Sequence, residues 1–249
     1  MKRMEQDMFE YFKGTGGRVT YGVTIGIISS GTVFPRIPGD SGNASTYTFP
    51  VAIKITPGRR PIERIVKRDP QLLREYIKAV REFEKIGVRA ITTTCGFNIL
   101  FQEELAKASS VPVFSSSLLQ LPVVQRMLPK GKKIGIITAD SKIFHEYRGD
   151  LLSCAGVEPS TPIVIGGTEN ILNWKPFLDQ ERIEKEVVKL AKKMVAENPD
   201  IGAIQFECHN LPPYGKAVQD ATGLSVFDIQ TLVDMVYGAI VKKRYTGLM

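Results

Sequence analysis

The chain has 249 residues, 43% of them apolar and 24% charged, which describes a globular protein with ample core-forming material and excludes a disordered or fibrous chain. The net charge of +7 is gathered in short clusters, Arg59, Arg60, Arg64, Lys67 and Arg68, then Lys242, Lys243 and Arg244. No aromatic residues interleave with them, so they read as solvated helix faces with a bias toward anionic ligands, and no nucleic-acid partner is expected. Three cysteines without a CxxC pair and two histidines exclude a disulfide framework and a structural zinc site.

In chain order, residues 1–19 form an N-terminal extension whose apolar runs are all interrupted by charge or glycine. It offers neither a signal peptide nor a bilayer span, so a cytoplasmic location and no membrane partner are expected. The apolar run Ile25 to Ile28 suits a buried parallel strand, and VAIKI at 51–55 suits a second. Between them PRIPGDSGNAS is a turn-rich loop, from which Asp40, Ser41 and Asn43 are placed to fold over a cleft. Asp69-Pro70 opens a helix that Gly87 ends, with Leu73, Ile77, Val80 and Phe83 on one face. Ala90-Ile91 then leads to Cys95, and VPVF supplies a fourth strand.

The same pattern returns. Ile134 to Ile137 repeats the opening strand, PIVIG at 162–166 the second, and a helix with Ile183, Val187, Leu190 and Met194 on one face stops at Asn198-Pro199. Ala203-Ile204 precedes Cys208 as Ala90-Ile91 precedes Cys95, and Val226 follows its cysteine at the same interval as Val113. The fold class is therefore α/β, two pseudo-symmetric lobes that each carry a four-stranded parallel sheet of order 2-1-3-4 flanked by helices. Lobe 1 is expected over 20–118, lobe 2 over 119–228, and a helix at 229–245 packs back on the first.

Ligands bind in such folds beyond the C-terminal strand ends, where neighbouring connections leave in opposite directions. Those ends carry Ser29, Ser30, Cys95, Gly96, Phe97 and Asn98 in one lobe, and Thr138, Cys208, His209 and Asn210 in the other. A cysteine opening a helix meets free N–H groups and a positive dipole end, which draw its pKa toward neutrality. One thiolate can then take a proton from carbon while the opposite thiol returns one to the other face, with no cofactor and no metal. Hydroxyls, the two asparagine amides and backbone N–H groups would hold a small carboxylate and its developing enediolate. Cys154, within LLSCAG, reads as a packing residue.

IGIISSG, TTTCGFN, IGIITAD, FECHNLPPYG and TGLSVFD together make residues 20 to 245 resemble the aspartate/glutamate/hydantoin racemase superfamily. The resemblance implies two α/β lobes, catalytic Cys95 and Cys208, independence of pyridoxal phosphate, and a homodimer or higher homo-oligomer. It departs from the family pattern at Gly96-Phe97, where a polar pair is common, at His209, where threonine is usual, and at Ser29, where glutamate racemases carry an acid. The expected function is a racemase or epimerase, an isomerase of an amino acid, hydantoin or related small carboxylate. The alternatives are a one-cysteine isomerase or decarboxylase, like maleate isomerase or arylmalonate decarboxylase, a non-catalytic small-molecule binder, or a redox protein.

Overall fold

A computed structural model describes Gly17 and residues 20–56, 61–172 and 175–247 of the chain; Arg59, Arg60 and the 1–19 extension apart from Gly17 lie outside them. The described strands are β1 (Ile25–Ser30), β2 (Val51–Thr56), β3 (Ala90–Thr93), β4 (Val113–Phe114), β5 (Lys133–Thr138), β6 (Ile163–Gly167), β7 (Ile201–Phe206) and β8 (Ser225–Phe227). The described helices are α1 (Pro61–Val66), α2 (Pro70–Ile86), α3 (Gln102–Lys107), α4 (Leu121–Met127), α5 (Ser141–Glu146), α6 (Arg148–Cys154), α7 (Gln180–Glu197), α8 (Gly215–Thr222) and α9 (Ile229–Ile240).

Two parallel sheets result, of order β2-β1-β3-β4 and β6-β5-β7-β8. Every residue of β1 is buried, as an uninterrupted apolar run covered on both faces requires. In the first sheet Ile28 pairs with Thr93, and in the second Ile137 pairs with Phe206, so both central pairs end at equivalent levels. The two cysteines lie two residues beyond β3 and β7, in equivalent positions.

Asp69 caps α2 by accepting from the Gln71 and Leu72 N–H groups, and Gly87 ends it with φ of 81° in the left-handed region that suits glycine. The buried stripe of α2 is Leu72, Tyr76, Ala79, Val80 and Phe83, rotated from the expected one so that Leu73 and Ile77 lie at its half-buried margin. Tyr76 accounts for the rotation, since its ring packs edge-on to Phe101 at 6.0 Å between centroids. In α7 the stripe is Ile183, Val187, Ala191 and Met194, with Leu190 at the edge.

Helix α9 sits on the first sheet: Ile229, Leu232 and Val233 share a core with Ile25, Ile27, Ala90 and Phe114. An Asp228–Thr231 capping box starts it. Among the described residues no helix is long and apolar enough to cross a membrane.

Candidate active site between the two sheets

A cavity of about 620 Å³ opens where the C-terminal strand ends of the two sheets face each other. Its walls include Ser30, Thr94, Cys95, Gly96 and Phe97 from beyond β1 and β3. Ala139, Asp140, Glu207, Cys208, His209 and Asn210 come from beyond β5 and β7, Ile62 and Glu63 from α1, and Phe34 and Arg36 from the loop after β1. Both thiols therefore line one cavity, and Cys95 is close enough to act electrostatically on Cys208.

Cys95 precedes a 3₁₀ turn, Gly96–Phe101, and the six-residue α3 begins only after it. Cys208 is followed by a second short 3₁₀ turn before α8. Neither thiol thus has a long α-helix starting directly behind it, and the expected fall in pKa gives way to a rise. Burial, then the Glu207 charge, pushes Cys95 up to about 12, against the Phe97 and Asn98 N–H groups that favour its thiolate. The same two causes raise Cys208 well above an ordinary thiol, opposed by the Asn210 N–H. Cys208 Sγ donates to Asn210 Oδ1 at 3.6 Å, as a protonated thiol does.

Sequence reasoning does not single out Glu207. It is fully buried, and desolvation raises its carboxyl to about 7 in spite of two hydrogen bonds. Thr138 Oγ1 donates to its Oε2 at 2.8 Å and the Ala139 N–H at 3.3 Å, while Oε1 has no partner. The one available signal is a charge at the end of an apolar strand, next to the cysteine. Gly96 faces it, and a Cβ at residue 96 would overlap both the Glu207 carbonyl oxygen and Oε1.

Arg36 escapes sequence reasoning as well, since a single arginine in a turn-rich loop has no spacing to mark it. Its guanidinium pairs with Asp40 at 2.7 Å, donates to Thr32 Oγ1 at 2.9 Å and lies 4.8 Å above the Phe34 ring. Asp40 also accepts from the Asn210 amide, and the Ser41 N–H donates to the His209 carbonyl at 3.3 Å, so this loop is fastened to the second half of the chain.

Of the residues expected to contact a ligand, Ser30, Gly96, Phe97, His209 and Asn210 line the cavity. Ser29, Asn43, Asn98 and Thr138 lie behind or beside its walls. Asn43 caps a turn within the loop and donates to the Arg36 carbonyl at 2.8 Å; Asn98 donates to Thr93 Oγ1 at 2.9 Å. Thr138 holds Glu207, and Ser29 is hydrogen-bonded to Thr94 at 3.5 Å. Cys154 stands elsewhere, half-buried, 3.8 Å from an Arg68 nitrogen.

His209 is buried with both ring nitrogens engaged. Nδ1 lies 2.9 Å from the Thr93 carbonyl and so carries the proton, and Nε2 accepts from the Ser117 N–H at 3.2 Å. The ring thus ties the turn after β7 to β3 and to the turn after β4. Burial first, and the nearby Arg36 charge, lower its pKa to about 4, so it is neutral at pH 7. Replacing it with leucine leaves a buried donor and a buried acceptor unpaired, and a loss of about 2–4 kcal/mol in unfolding free energy is expected. Because the folded pKa lies below the unfolded value of 6.5, the histidine's contribution is whole above pH 6.5 and declines as pH falls toward 4. Denaturant midpoints of wild type and His209→Leu should therefore differ most at neutral pH and converge on acidification; a gap independent of pH would refute the buried neutral imidazole.

No family model matches the chain. A dimethylsulfoniopropionate lyase of Durusdinium sp. clade D is 31% identical over 234 residues, spanning 90% of this chain and 77% of that protein. Dimethylsulfoniopropionate lyase 7 of Emiliania huxleyi (strain CCMP1516) is 29% identical over 236 residues, 90% of this chain and 69% of that protein. Among solved structures, unliganded arylmalonate decarboxylase superposes with a TM-score of 0.58 at 14% identity, covering 90% of this chain and 94% of that one. Picrophilus torridus aspartate racemase superposes with a TM-score of 0.56 at 13% identity, covering 90% and 96%.

These structural likenesses place the chain in the fold of the aspartate/glutamate/hydantoin racemase superfamily. The relatives correct the expected activity: a racemase, epimerase or other isomerase is overturned by lyases at about 30% identity over 90% of the chain. The physical reason is that proton removal beside a carboxylate is common to both kinds of reaction, and the fate of the carbanion depends on whether the next carbon carries a leaving group. By its sequence, the chain belongs to the dimethylsulfoniopropionate lyase family.

Proposed function

We propose that the protein is a carbon–sulfur lyase that splits dimethylsulfoniopropionate, or a close sulfonium carboxylate, by elimination. The observation that carries this reading is a chain 31% identical to such a lyase whose two cysteines line one cavity. In that substrate a carboxylate and a dimethylsulfonium group flank two methylene carbons. A thiolate of the Cys95–Cys208 pair takes a proton from the carbon beside the carboxylate. The electron pair left behind forms the carbon–carbon double bond, and the bond from the next carbon to sulfur breaks with its electrons going to sulfur. Acrylate and neutral dimethyl sulfide result, and the thiol formed gives its proton to solvent.

Charge develops on the carboxylate oxygens as the proton leaves, and hydrogen-bond donors aimed there lower the barrier. The second thiol of the pair, the Ser30 hydroxyl and the Asn210 amide are assigned that part. The Phe34 and Phe97 rings supply apolar surface for the two S-methyl groups, and Phe34 already sits under one cation. The proposal also retains a carboxylate-bearing substrate, a homo-oligomer, a cytoplasmic site of action, and walls drawn from lobes 20–118 and 119–228.

Purified protein incubated with dimethylsulfoniopropionate is expected to release dimethyl sulfide into the headspace and acrylate into solution in equal amounts. Dimethylsulfoniopropionate recovered unchanged, with no deuterium taken from deuterated water, would overturn the reading.

A further inference from the structure

The two halves of the cavity pair equivalent positions with each other and differ in the side chain at one of them. In the first sheet the Thr94 N–H donates to the Ile28 carbonyl at 3.0 Å, and in the second the Glu207 N–H donates to the Ile137 carbonyl at 2.9 Å. Thr94 and Glu207 are therefore equivalent, each just before a cysteine. The Ser30 N–H donates to Thr94 Oγ1 at 3.3 Å, and the equivalent Ala139 N–H donates to Glu207 Oε2 at 3.3 Å. Thr94 Oγ1 donates to Ser29 Oγ at 3.5 Å, whereas Glu207 Oε2 accepts from the equivalent Thr138 Oγ1 at 2.8 Å. One carboxylate oxygen of Glu207 thus meets both groups that the threonine hydroxyl meets in the other half, as acceptor to each.

What remains is Oε1. It is buried, has no hydrogen-bond partner, and belongs to a residue that lines the cavity. A threonine at 207 would complete the local structure without the cost of burying a carboxylate. The surplus oxygen thus serves no structural need in the chain, and its charge bears on both thiols. Opposite Glu207, glycine at 96 leaves the space that Oε1 occupies. The cation on the same walls, Arg36, is already paired with Asp40.

We infer that Glu207 is the counter-ion for the positively charged group of the substrate, so that the cavity selects onium carboxylates over uncharged carboxylates of the same shape. This rests on the lyase reading only for the identity of the cation as a sulfonium. A buried carboxylate with one unpartnered oxygen is stabilised by a cation that brings no hydrogen-bond donors, because the attraction is that of a charge and needs no directed N–H. A dimethylsulfonium or trimethylammonium group meets that description. Its arrival would also offset the negative charge that helps to keep the two thiols protonated, coupling substrate charge to thiolate formation.

The test uses two stable carboxylates of one shape, 3-(trimethylammonio)propanoate and 4,4-dimethylpentanoate, titrated calorimetrically into the wild-type protein and into Glu207→Gln. The wild type is expected to bind the cationic probe on the order of tenfold or more tighter than the neutral one, as one well-placed partly desolvated charge pair gives. Glu207→Gln, which keeps the shape and removes the charge, should bring the ratio close to one by weakening the cationic probe alone. Equal affinity of the wild type for both probes, or no binding of either, overturns the inference without reference to the variant. So does a folded Glu207→Gln, judged by its thermal melt, that keeps the preference. A wild type that shows the preference but releases no dimethyl sulfide would refute the proposed reaction and leave the counter-ion role standing.

Discussion

Cys95→Ser and Cys208→Ser are each expected to cut dimethyl sulfide release, and by unequal amounts. Loss of the thiol that accepts the proton should lower kcat by about 10²–10⁴, the range in which a positioned general base contributes. A serine hydroxyl fits the space, yet in the same buried surroundings an alkoxide forms far less readily than the thiolate that a bound cation favours. Loss of the thiol that only hydrogen-bonds the developing charge should cost less, about tenfold to 10²-fold. The two act on one transition state, so the double variant should fall little below the worse of the singles. Headspace assays across the three variants check the order, and exchange of the substrate's carbon-bound protons in deuterated water identifies the base. If all three variants keep near wild-type rates, thiol chemistry is refuted.

Gly96→Ala is the second change for which a large effect is expected. The backbone at 96 is not in the left-handed region, so alanine meets no local conformational strain. The penalty is steric: the new methyl would overlap the Glu207 carbonyl oxygen and Oε1. The Glu207 backbone cannot simply retreat, because its N–H is bonded to Ile137 and its side chain to Thr138 and Ala139. The Ser117 hydroxyl donates to the Phe206 carbonyl at 2.7 Å and pins the same segment from the other side. Relief requires parting the two sheets' strand ends, which moves Cys95 relative to Cys208. Overpacking of this kind costs about 1–3 kcal/mol, and a displacement near 1 Å at reacting groups can cost about 10²-fold in rate. A thermal melt and a headspace assay on the same preparation measure both; full activity in Gly96→Ala would show that the two walls stand apart in solution.

Much of the architecture is legible because duplication leaves a pattern that one sequence can display against itself. The IGII runs and the matched AI-to-cysteine spacings mark two sheets, and parallel order 2-1-3-4 comes from the handedness of crossovers. The caps at Asp69 and Gly87 are equally readable, since capping is a local affair of a few consecutive residues. The helical stripes are less so: the pattern favours Leu73 and Ile77 over Tyr76 because a phenol counts as polar, although its ring is buried against Phe101.

The cavity's chemistry divides in the same way. By itself the sequence determined that two cysteines end equivalent strands, because spacing along the chain is a one-dimensional fact. Only the tertiary structure decided their protonation, because desolvation and the Glu207 field depend on what packs across the gap, and these outweighed the backbone N–H groups that position predicts. It also decided that His209 is a neutral tie, since its partners Thr93 and Ser117 come from distant parts of the chain. Glu207 becomes conspicuous only when the two halves are laid bond on bond, because a carboxylate oxygen with no partner is a property of three-dimensional surroundings.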